Sequence, residues 1–256
     1  MPAEARFCPS CGHELVVVGD QRRIATVLFA DLVGFTALSE RLDPEQVKAL
    51  VDRCFERLAV DIEAFGGRVD KVIGDAIVAL FGAPIAHEDD AERAVRAGLR
   101  MQQTIADVGA EVDHALRMRV GINTGEVLVG AVQGGREYTA MGDVVNTASR
   151  LQTAAEPGTV LVGPQTYSAT SAVVAYDTID AVVAKGKALP VEAWVAREAV
   201  LPPGYRPRRK STPLVGRETE LALLTSVRTH AIDRCRAALL LVHGEAGMGK
   251  SRLAEE

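Results

Sequence analysis

The stretch RVDKVIGDAIVALF, residues 68–81, is the part of the sequence that decides the fold. It contains two runs rich in β-branched and apolar residues, Arg68 to Ile73 and Ala76 to Phe81, which are separated only by Gly74 and Asp75. Two such runs joined by a two-residue turn are typical of a tight β-hairpin. The sequence therefore predicts a hairpin that carries Asp75 in its turn.

Strand and helix patterns flank this hairpin on both sides. Residues 24–31 form a buried-strand pattern, and apolar residues recur at helical intervals over residues 44–64. After the hairpin, residues 87–106 predict a second long helix, whose acidic residues lie at its favourable amino end. The first half of the body is thus predicted to run strand, helix, hairpin, helix.

A second hairpin is predicted from Leu116 to Ile122 and from Glu126 to Val132, with its turn at Asn123-Thr124-Gly125. A helix follows from about Asp143 to Ala154, and short strands come after it. The resulting order β-α-β-β-α-β, with further α and β elements at its carboxyl end, is typical of a ferredoxin-like α+β fold. In that fold the helices cover one face of an antiparallel sheet.

The composition is that of ordinary globular protein, with 256 residues, 48% of them hydrophobic and 25% charged, and a net charge of −5. This mild negative charge argues against nucleic acid or an anionic membrane surface as a partner. No run approaches the roughly 18 apolar residues of a membrane helix, and the amino terminus has no signal-peptide core. We therefore expect a cytoplasmic protein that binds neither nucleic acid nor membrane and keeps its four cysteines reduced.

Composition also divides the chain into four segments. They are a cysteine-containing head (1–22), an α/β-patterned body (23–199), a linker rich in proline and basic residues (200–213), and the start of another domain (214–256). The prolines of the linker forbid a regular helix or a central strand. Its basic residues are interpreted as a solvated spacer rather than a phosphate site.

Two aspartates of the body are candidate metal ligands. Asp31 ends the first predicted strand and Asp75 lies in the hairpin turn, so the two carboxylates can converge at one end of an antiparallel sheet. Such a pair suits Mg²⁺, and two ions would stabilise both reacting oxygens of a phosphoryl displacement. Residues Leu32 to Thr36 are predicted to enter a helix and offer backbone N–H groups to phosphate, with Gly34 allowing close approach. The alternative is that Asp31 caps a helix and Asp75 is an ordinary turn residue.

Four motifs of the body occur in a fixed order: FADLVGFT (29–36), KVIGDAIVALFG (71–82), GINTGEVLVG (121–130) and YTAMGDVVNTASRL (138–151). Together they resemble the class III adenylyl and guanylyl cyclases, and the resemblance extends from about residue 23 to residue 197. Four ordered motifs are far more specific than a single glycine-rich loop. The resemblance implies conversion of ATP into 3′,5′-cyclic AMP and pyrophosphate with two Mg²⁺ or Mn²⁺ ions. It assigns the metal site to Asp31, Leu32 and Asp75.

The resemblance also implies which residues bind the substrate. Lys71 and Thr139 correspond to the two base-reading positions, and Phe35 and Thr36 belong to the substrate-binding loop after the first strand. An ammonium group only donates, which suits the unprotonated N1 of adenine, and a hydroxyl can accept from the 6-amino group. The guanylyl cyclases have Glu and Cys-like residues at these positions, so adenine is favoured, although Thr139 selects less sharply than the Asp of the mammalian enzymes.

Asn146 and Arg150 are four residues apart and lie on one face of the predicted helix. In the resembling enzymes the matching Asn orients the ribose and the matching Arg stabilises charge on the transferred phosphate; without the motif, Arg150 would be interpreted as a surface residue. A late K-G-K loop delivers a lysine to the triphosphate, and here Lys185 is favoured over Lys187.

The resemblance further implies a head-to-tail homodimer with composite active sites. One protomer supplies the two metal-binding aspartates, and its partner supplies Lys71, Thr139, Asn146 and Arg150. A protomer alone is therefore expected to be inactive.

The two ends of the chain carry incomplete motifs. Cys8 and Cys11, followed by His13, form half of a zinc ribbon, and because structural zinc needs four ligands we expect the head to hold none. Near the other end, residues 239–243 predict an apolar strand, and the P-loop pattern that follows it comprises Gly244, Gly249, Lys250 and Ser251. This tail resembles the AAA-like or signal-transduction NTPase modules that follow some cyclase domains. It has no Walker B acid, so we interpret it as an incomplete NTPase segment of a longer protein.

The sequence leaves several functions to weigh against adenylyl cyclase. A cyclase-fold nucleotide sensor that regulates the NTPase without turnover is one alternative, and a guanylyl cyclase is another. A diguanylate cyclase is disfavoured because no GG[DE]EF-like hairpin is present, and an NTPase switch because the tail is short. Thr139 resembles the bicarbonate-responsive subgroup, so activation by bicarbonate is a hypothesis.

Overall fold

The computed structural model describes residues 21–34, 43–112, 114–131, 138–182, 190–204, 215–243 and 250–255. The chain divides into two units, Met1–Tyr205 and Arg206–Glu256. The boundary between them lies within the segment that the sequence assigns to a linker. The predicted head, residues 1–22, lies almost entirely outside the described residues.

The first unit alternates strands and helices in the predicted order. Its elements are β1 (Gln21–Val33), α1 (Pro44–Ala64), β2 (Arg68–Ile73), β3 (Ala76–Phe81), α2 (Asp90–Glu111), β4 (Arg117–Ala131), β5 (Tyr138–Met141), α3 (Asp143–Ala154), β6 (Val160–Val162), α4 (Pro164–Thr170), β7 (Val174–Thr178) and β8 (Trp194–Ala199). The hairpin of β2 and β3 and the ends of α1 and α3 agree with the sequence predictions. Helix α2 begins and ends later than predicted.

The strands form one mixed sheet in the order β2-β3-β1-β4-β6-β8-β7, with β5 paired to β4. All pairs are antiparallel except β4 with β6. The longest pairing joins β1 to β4 and runs from Gln21 opposite Val129 to Val33 opposite Arg117. This pairing forms the centre of the sheet and carries the residues of the candidate site.

The predicted second hairpin is wrong, because residues 117–131 form one unbroken strand. Residues Asn123, Thr124 and Gly125, predicted as a turn, pair with β1 like their neighbours. The glycines of this segment serve close packing instead. A Cβ on Gly121 would lie 2.2 Å from the backbone nitrogen of Gln152 and 2.3 Å from the carbonyl oxygen of Ala148, both on α3.

The helices occupy both faces of the sheet, which corrects the expectation of one covered face. Because side chains alternate along a strand, Leu28 and Ala30 of β1 pack with α1 and α2 in one core cluster. Ala25 and Val27 face the other way and pack with Ala148 of α3 in a second cluster. The candidate site lies on the α3 side, because Asp31 shares that side of β1.

Replacing Gly121 with alanine is expected to destabilise the first unit by about 1–3 kcal/mol or more, because the added methyl group overlaps the α3 backbone, which cannot move independently. Urea unfolding followed by circular dichroism measures this loss. Gly98→Ala in α2 is the matched control, since its Cβ would lie 3.2 Å from a side-chain carbon of Ile122 and helix propensity improves. Equal stability of the two variants would contradict the close approach of α3 to β4.

The second unit contains α5 (Glu218–Asp233) and α6 (Lys250–Glu255) in its described residues. The predicted strand at residues 239–243 is not formed there: Leu239 is 98% exposed and Leu241 86% exposed. A strand needs neighbouring strands to satisfy its backbone N–H and C=O groups, and no strand is present among the described residues of this unit. An apolar run therefore did not suffice to make a strand.

Two cysteines lie in the described part of the chain, and both are free thiols, Cys54 in the core and Cys235 at the surface. Within the same residues, none of the helices combines the length and the apolar character needed to span a bilayer.

Candidate active site

The structure brings the carboxyl groups of Asp31 and Asp75 into contact. Asp31 lies opposite Ala76 in the pairing of β1 with β3, so the β2–β3 turn falls beside the end of β1. The N–H of Leu32 donates to the carbonyl oxygen of Asp75 at 3.2 Å, which holds the turn in place. The two carboxyl groups lie close enough for the charge of Asp75 to act on Asp31. Their proximity thus follows from strand register and a two-residue turn.

The surroundings of Asp31 disfavour its ionised form. Burial raises the pKa of Asp31, and the neighbouring charge of Asp75 raises that pKa further. The guanidinium of Arg119 and the amide of Gln152 act in the opposite direction and lower the pKa of Asp31. Two carboxylates this close together favour the binding of a cation beside them.

Asp31→Asn is expected to raise the midpoint of thermal unfolding of the metal-free protein at pH 7. Because the pKa of Asp31 is raised on folding, its ionisation disfavours the folded state at neutral pH, and this penalty fades as pH falls towards 3.8. The unfolding midpoint of the variant should therefore exceed that of the wild type by a few degrees at pH 7, and this difference should become smaller at acidic pH. Scanning calorimetry from about pH 4 to about pH 7 measures this difference in unfolding midpoint. A lower midpoint for the variant at pH 7 would contradict the assigned electrostatics.

The backbone at Leu32 differs from the predicted entry into a helix. Residues Leu32 and Val33 still belong to β1 and do not enter a helix, and Gly34 follows in a turn with φ of +83°. The N–H of Leu32 is bonded to Asp75, so it does not point at a phosphate. The sequence pattern did not predict this, because pairing with β4 extends β1 as far as Val33. Phe35 and Thr36 lie outside the described residues.

Two side chains of the site were missed by the sequence analysis. Arg119 faces Asp31 directly in the pairing of β1 with β4, and its Nε is buried without a hydrogen-bond partner among the described residues. Gln152 of α3 donates from its amide nitrogen to Oδ2 of Asp31 at 3.3 Å. A basic residue inside the apolar strand MRVGI was the available signal for Arg119. Gln152 had no such signal.

Asn146 and Arg150 lie on the side of α3 that faces away from the sheet. Ala148, Leu151 and Gln152 are buried towards the sheet, and residues 146 and 150 are on the opposite side of a helix with 3.6 residues per turn. Asn146 is exposed, whereas Arg150 is half-buried and its Nη1 has no hydrogen-bond partner among the described residues. Among the described residues of this chain, α3 therefore touches the carboxylate pair through Gln152 and not through these two residues.

The two predicted base-reading residues lie on β2 and β5. Lys71 of β2 is exposed, and its ammonium group lies 3.3 Å from the carboxylate of Asp70. A register shift between Val69 and Lys71 separates Asp70 from the regular pairing with β3. Thr139 pairs with Gly130 in the β4–β5 ladder, and its side chain lies outside the described part.

The remaining predicted site residues lie mostly outside the described part of the chain. This applies to Lys185 and Lys187, to Cys8 and Cys11 with His13, and to Gly244 and Gly249. Lys250 is the first residue of α6 and Ser251 follows it in the helix. Their functions stay predictions.

The carboxylate pair is the arrangement in the described residues that can hold a divalent ion. No cluster of three or more His, Cys, Asp or Glu side chains suited to a metal occurs in the part of the chain that the structure describes. Mg²⁺ does not need one, since it commonly binds one or two carboxylates and completes its shell with water and substrate phosphates. The donor set therefore fits a metal that arrives with a nucleotide.

The family model described as "Adenylate and Guanylate cyclase catalytic domain" matches residues 17–197. The chain thus belongs to this family, the class III nucleotidyl cyclases. The confirmed resemblance covers the body of the chain and not the tail.

Individual relatives include both kinds of cyclase. Adenylate cyclase 1 of Rhizobium meliloti is 38% identical over 138 residues, 51% of this chain and 21% of that protein. The crystal structure of the adenylyl cyclase CyaB from P. aeruginosa matches with a TM-score of 0.69 and 32% identity, covering 71% of this chain and 97% of that one. The guanylyl cyclase Cya2 matches with a TM-score of 0.69 and 36% identity, covering 73% and 98%. The chain spans between 21% and 34% of the length of the first curated relatives it matches.

Proposed function

We propose that this chain is an adenylyl cyclase that converts ATP into 3′,5′-cyclic AMP and pyrophosphate. The observation that carries the proposal is the proximity of the carboxyl groups of Asp31 and Asp75 at the end of β1, which the pairing of β1 with β3 and the bond from Leu32 to Asp75 produce. In the reaction, the ribose 3′-oxygen attacks the α-phosphorus, the bond from that phosphorus to the bridging oxygen of pyrophosphate breaks, and the 3′-hydroxyl proton is released. Family membership supports the reaction class, and membership is shared by adenylyl and guanylyl cyclases.

Asp31 and Asp75 are the residues that would hold two Mg²⁺ or Mn²⁺ ions. When bound, such ions activate the attacking hydroxyl and neutralise charge on the leaving pyrophosphate. The residues fit this role because burial and the neighbouring charge of Asp75 raise the pKa of Asp31, so that a cation bound beside the pair is favoured. The carbonyl oxygen of Leu32 belongs to the same end of β1.

Arg119 is proposed to contact a phosphate group of the substrate. Its Nε is buried and lacks a hydrogen-bond partner among the described residues, which is costly for a guanidinium group. A phosphate oxygen bound beside Asp31 would accept from it, and Arg–phosphate hydrogen bonds are among the strong ones. The position opposite Asp31 in the sheet supports this role.

A homodimer is proposed because the catalytic groups of one chain face in two directions. Gln152 and the carboxylate pair are on the sheet side of α3, whereas Asn146 and Arg150 face outward. In the proposed head-to-tail dimer, those outward residues, with Lys71 and Thr139, complete the site of the partner. Arg150 would then stabilise charge on the transferred phosphate and Asn146 would orient the ribose.

Adenine is proposed as the base because Lys71 offers donors only, which match the unprotonated N1 of adenine and not the N1–H of guanine. A guanylyl cyclase is the second candidate, favoured by the 36% identity to Cya2. Activation by bicarbonate remains a hypothesis that initial rates at fixed pH would test. A regulatory role for the P-loop tail is likewise a proposal.

Incubation with Mn²⁺ and either ATP or GTP, followed by chromatographic separation of products, tests the proposed function. We expect cyclic AMP formation from ATP to exceed cyclic GMP formation from GTP by about 10-fold or more in kcat/KM, since base-edge hydrogen bonds are mismatched for guanine. Lys71→Ala should reduce this preference. Cyclic GMP as the main product would establish the second candidate, and absence of both products would favour a nucleotide sensor.

A further inference from the structure

Gln152 connects α3 to the metal-binding end of β1. Its side chain is on the sheet side of the helix and the residue is only 8% exposed. The amide nitrogen donates to Oδ2 of Asp31 at 3.3 Å. Nothing in the resemblance to known cyclases or in the reaction proposed above assigns a role to this contact.

The position of Gln152 is fixed by the packing of α3 on β4. The backbone of Gln152 approaches Gly121 so closely that a Cβ on the glycine would meet its nitrogen at 2.2 Å. Leu151 beside it is 1% exposed. A helix held this tightly cannot shift to let the amide find another partner, and an amide buried without a hydrogen bond is costly. We therefore expect the amide to keep its hydrogen bond to Asp31.

We propose that Gln152 is a positioning residue that orients the Asp31 carboxylate for metal binding. The proposal rests on the proposed function and adds a residue to its metal site. A carboxylate has two oxygens with about four lone-pair positions. The amide occupies one of them on Oδ2, which fixes the plane of the carboxylate and leaves the other positions to the metal. Residues that hold a metal ligand in this way typically contribute about 10–100-fold to metal affinity.

In the proposed site, the two sides of α3 have different functions. Its sheet side holds Asp31 through Gln152, and its outward side carries Asn146 and Arg150. In the proposed dimer these outward residues act in the partner's site. A rigid α3 thus keeps the metal site of one protomer in register with the groups that this protomer offers to the other.

The experiment compares Gln152→Met with a matched control, Gln102→Met, in the full chain. Methionine keeps the length of glutamine but cannot donate. Gln102 also uses its amide structurally, donating to the carbonyl oxygens of Met118 and Thr159 at 3.2 and 3.0 Å, on the α2 side of the sheet. Both variants lose amide hydrogen bonds, and only one of them lies beside Asp31.

Mn²⁺ binding is measured without nucleotide from the electron paramagnetic resonance signal of free Mn²⁺, because a nucleoside triphosphate in solution would itself chelate the ion. We expect Gln152→Met to raise the Mn²⁺ dissociation constant about 10-fold or more, and Gln102→Met to leave it unchanged. In steady-state assays with ATP, Gln152→Met should raise the Mn²⁺ concentration for half-maximal rate by a similar factor.

Unchanged Mn²⁺ affinity in a folded Gln152→Met variant would overturn the inference while leaving the proposed function intact. Wild-type protein that binds no Mn²⁺ and forms no cyclic nucleotide from ATP or GTP would instead remove the proposed function and the inference together. Should Gln152→Met not fold, Gln152→Asn, whose amide is too short to reach Asp31, replaces it with the same expectation. If neither variant folds although Gln102→Met does, the role of Gln152 is packing and the proposal is wrong.

Discussion

Asp75→Asn is expected to reduce cyclic AMP formation by at least about 100-fold, because a neutral amide neither binds a divalent ion well nor balances its charge. The exchange keeps the shape of the side chain, so the two-residue turn and the bond from Leu32 to the Asp75 carbonyl can persist. Initial rates with Mn²⁺ and ATP, read out by chromatography of cyclic AMP, measure the loss. The loss should appear in kcat even at saturating ATP.

Asp177→Asn is the matched control for this variant. Asp177 lies on β7 and pairs with Arg197 at 2.6 Å, both side chains being more than half exposed. Exposed ion pairs contribute little to stability, so activity and unfolding midpoint should stay near wild type. Asp75→Asn should also remain folded, since removing one of two crowded carboxylates relieves the repulsion that raises the pKa of Asp31. Wild-type activity in the Asp75→Asn variant would remove the central claim.

Mixing an Asp31→Ala variant with an Arg150→Ala variant is expected to restore activity that neither has alone. In a heterodimer one composite site receives the intact aspartate pair from the Arg150→Ala chain and an intact Arg150 from the other chain. Random pairing of equal amounts makes half of the dimers heterodimers, each with one working site, so about a quarter of wild-type activity should return. The rate of cyclic AMP formation after mixing measures this.

A mixture of Asp31→Ala and Asp75→Ala is the control for complementation. Both aspartates belong to the same half of the site, so no heterodimer of these two chains contains an intact pair, and the mixture should remain inactive. Differently tagged chains that co-purify would verify heterodimer formation. If heterodimers of Asp31→Ala and Arg150→Ala form and stay inactive, the active site is not shared between protomers.

Much of the first unit was predictable from local pattern. The β2–β3 hairpin and helices α1 and α3 end where the sequence predicts, because turn chemistry and helical periodicity are local properties. The family motifs predicted a site at Asp31 and Asp75, and the structure brings these two carboxyl groups close together.

The errors share one physical origin. Gly125 was attributed to a turn, yet it lies in a continuous strand that side chains of α3 and α4 approach closely. The run at residues 239–243 was predicted as a strand, yet it has no neighbouring strand among the described residues of its unit. Glycine and apolar runs signal several environments, and only contacts distant in sequence distinguish them.

The sequence by itself determined the family, the order of the elements as far as α2 and the two acidic side chains of the candidate site, because these depend on residue type and short-range spacing. Only the tertiary structure decided that Arg119 faces Asp31, that Gln152 donates to it, and that Asn146 and Arg150 turn outward. Strand register and helix docking set these relations, and both depend on packing between segments far apart in the chain.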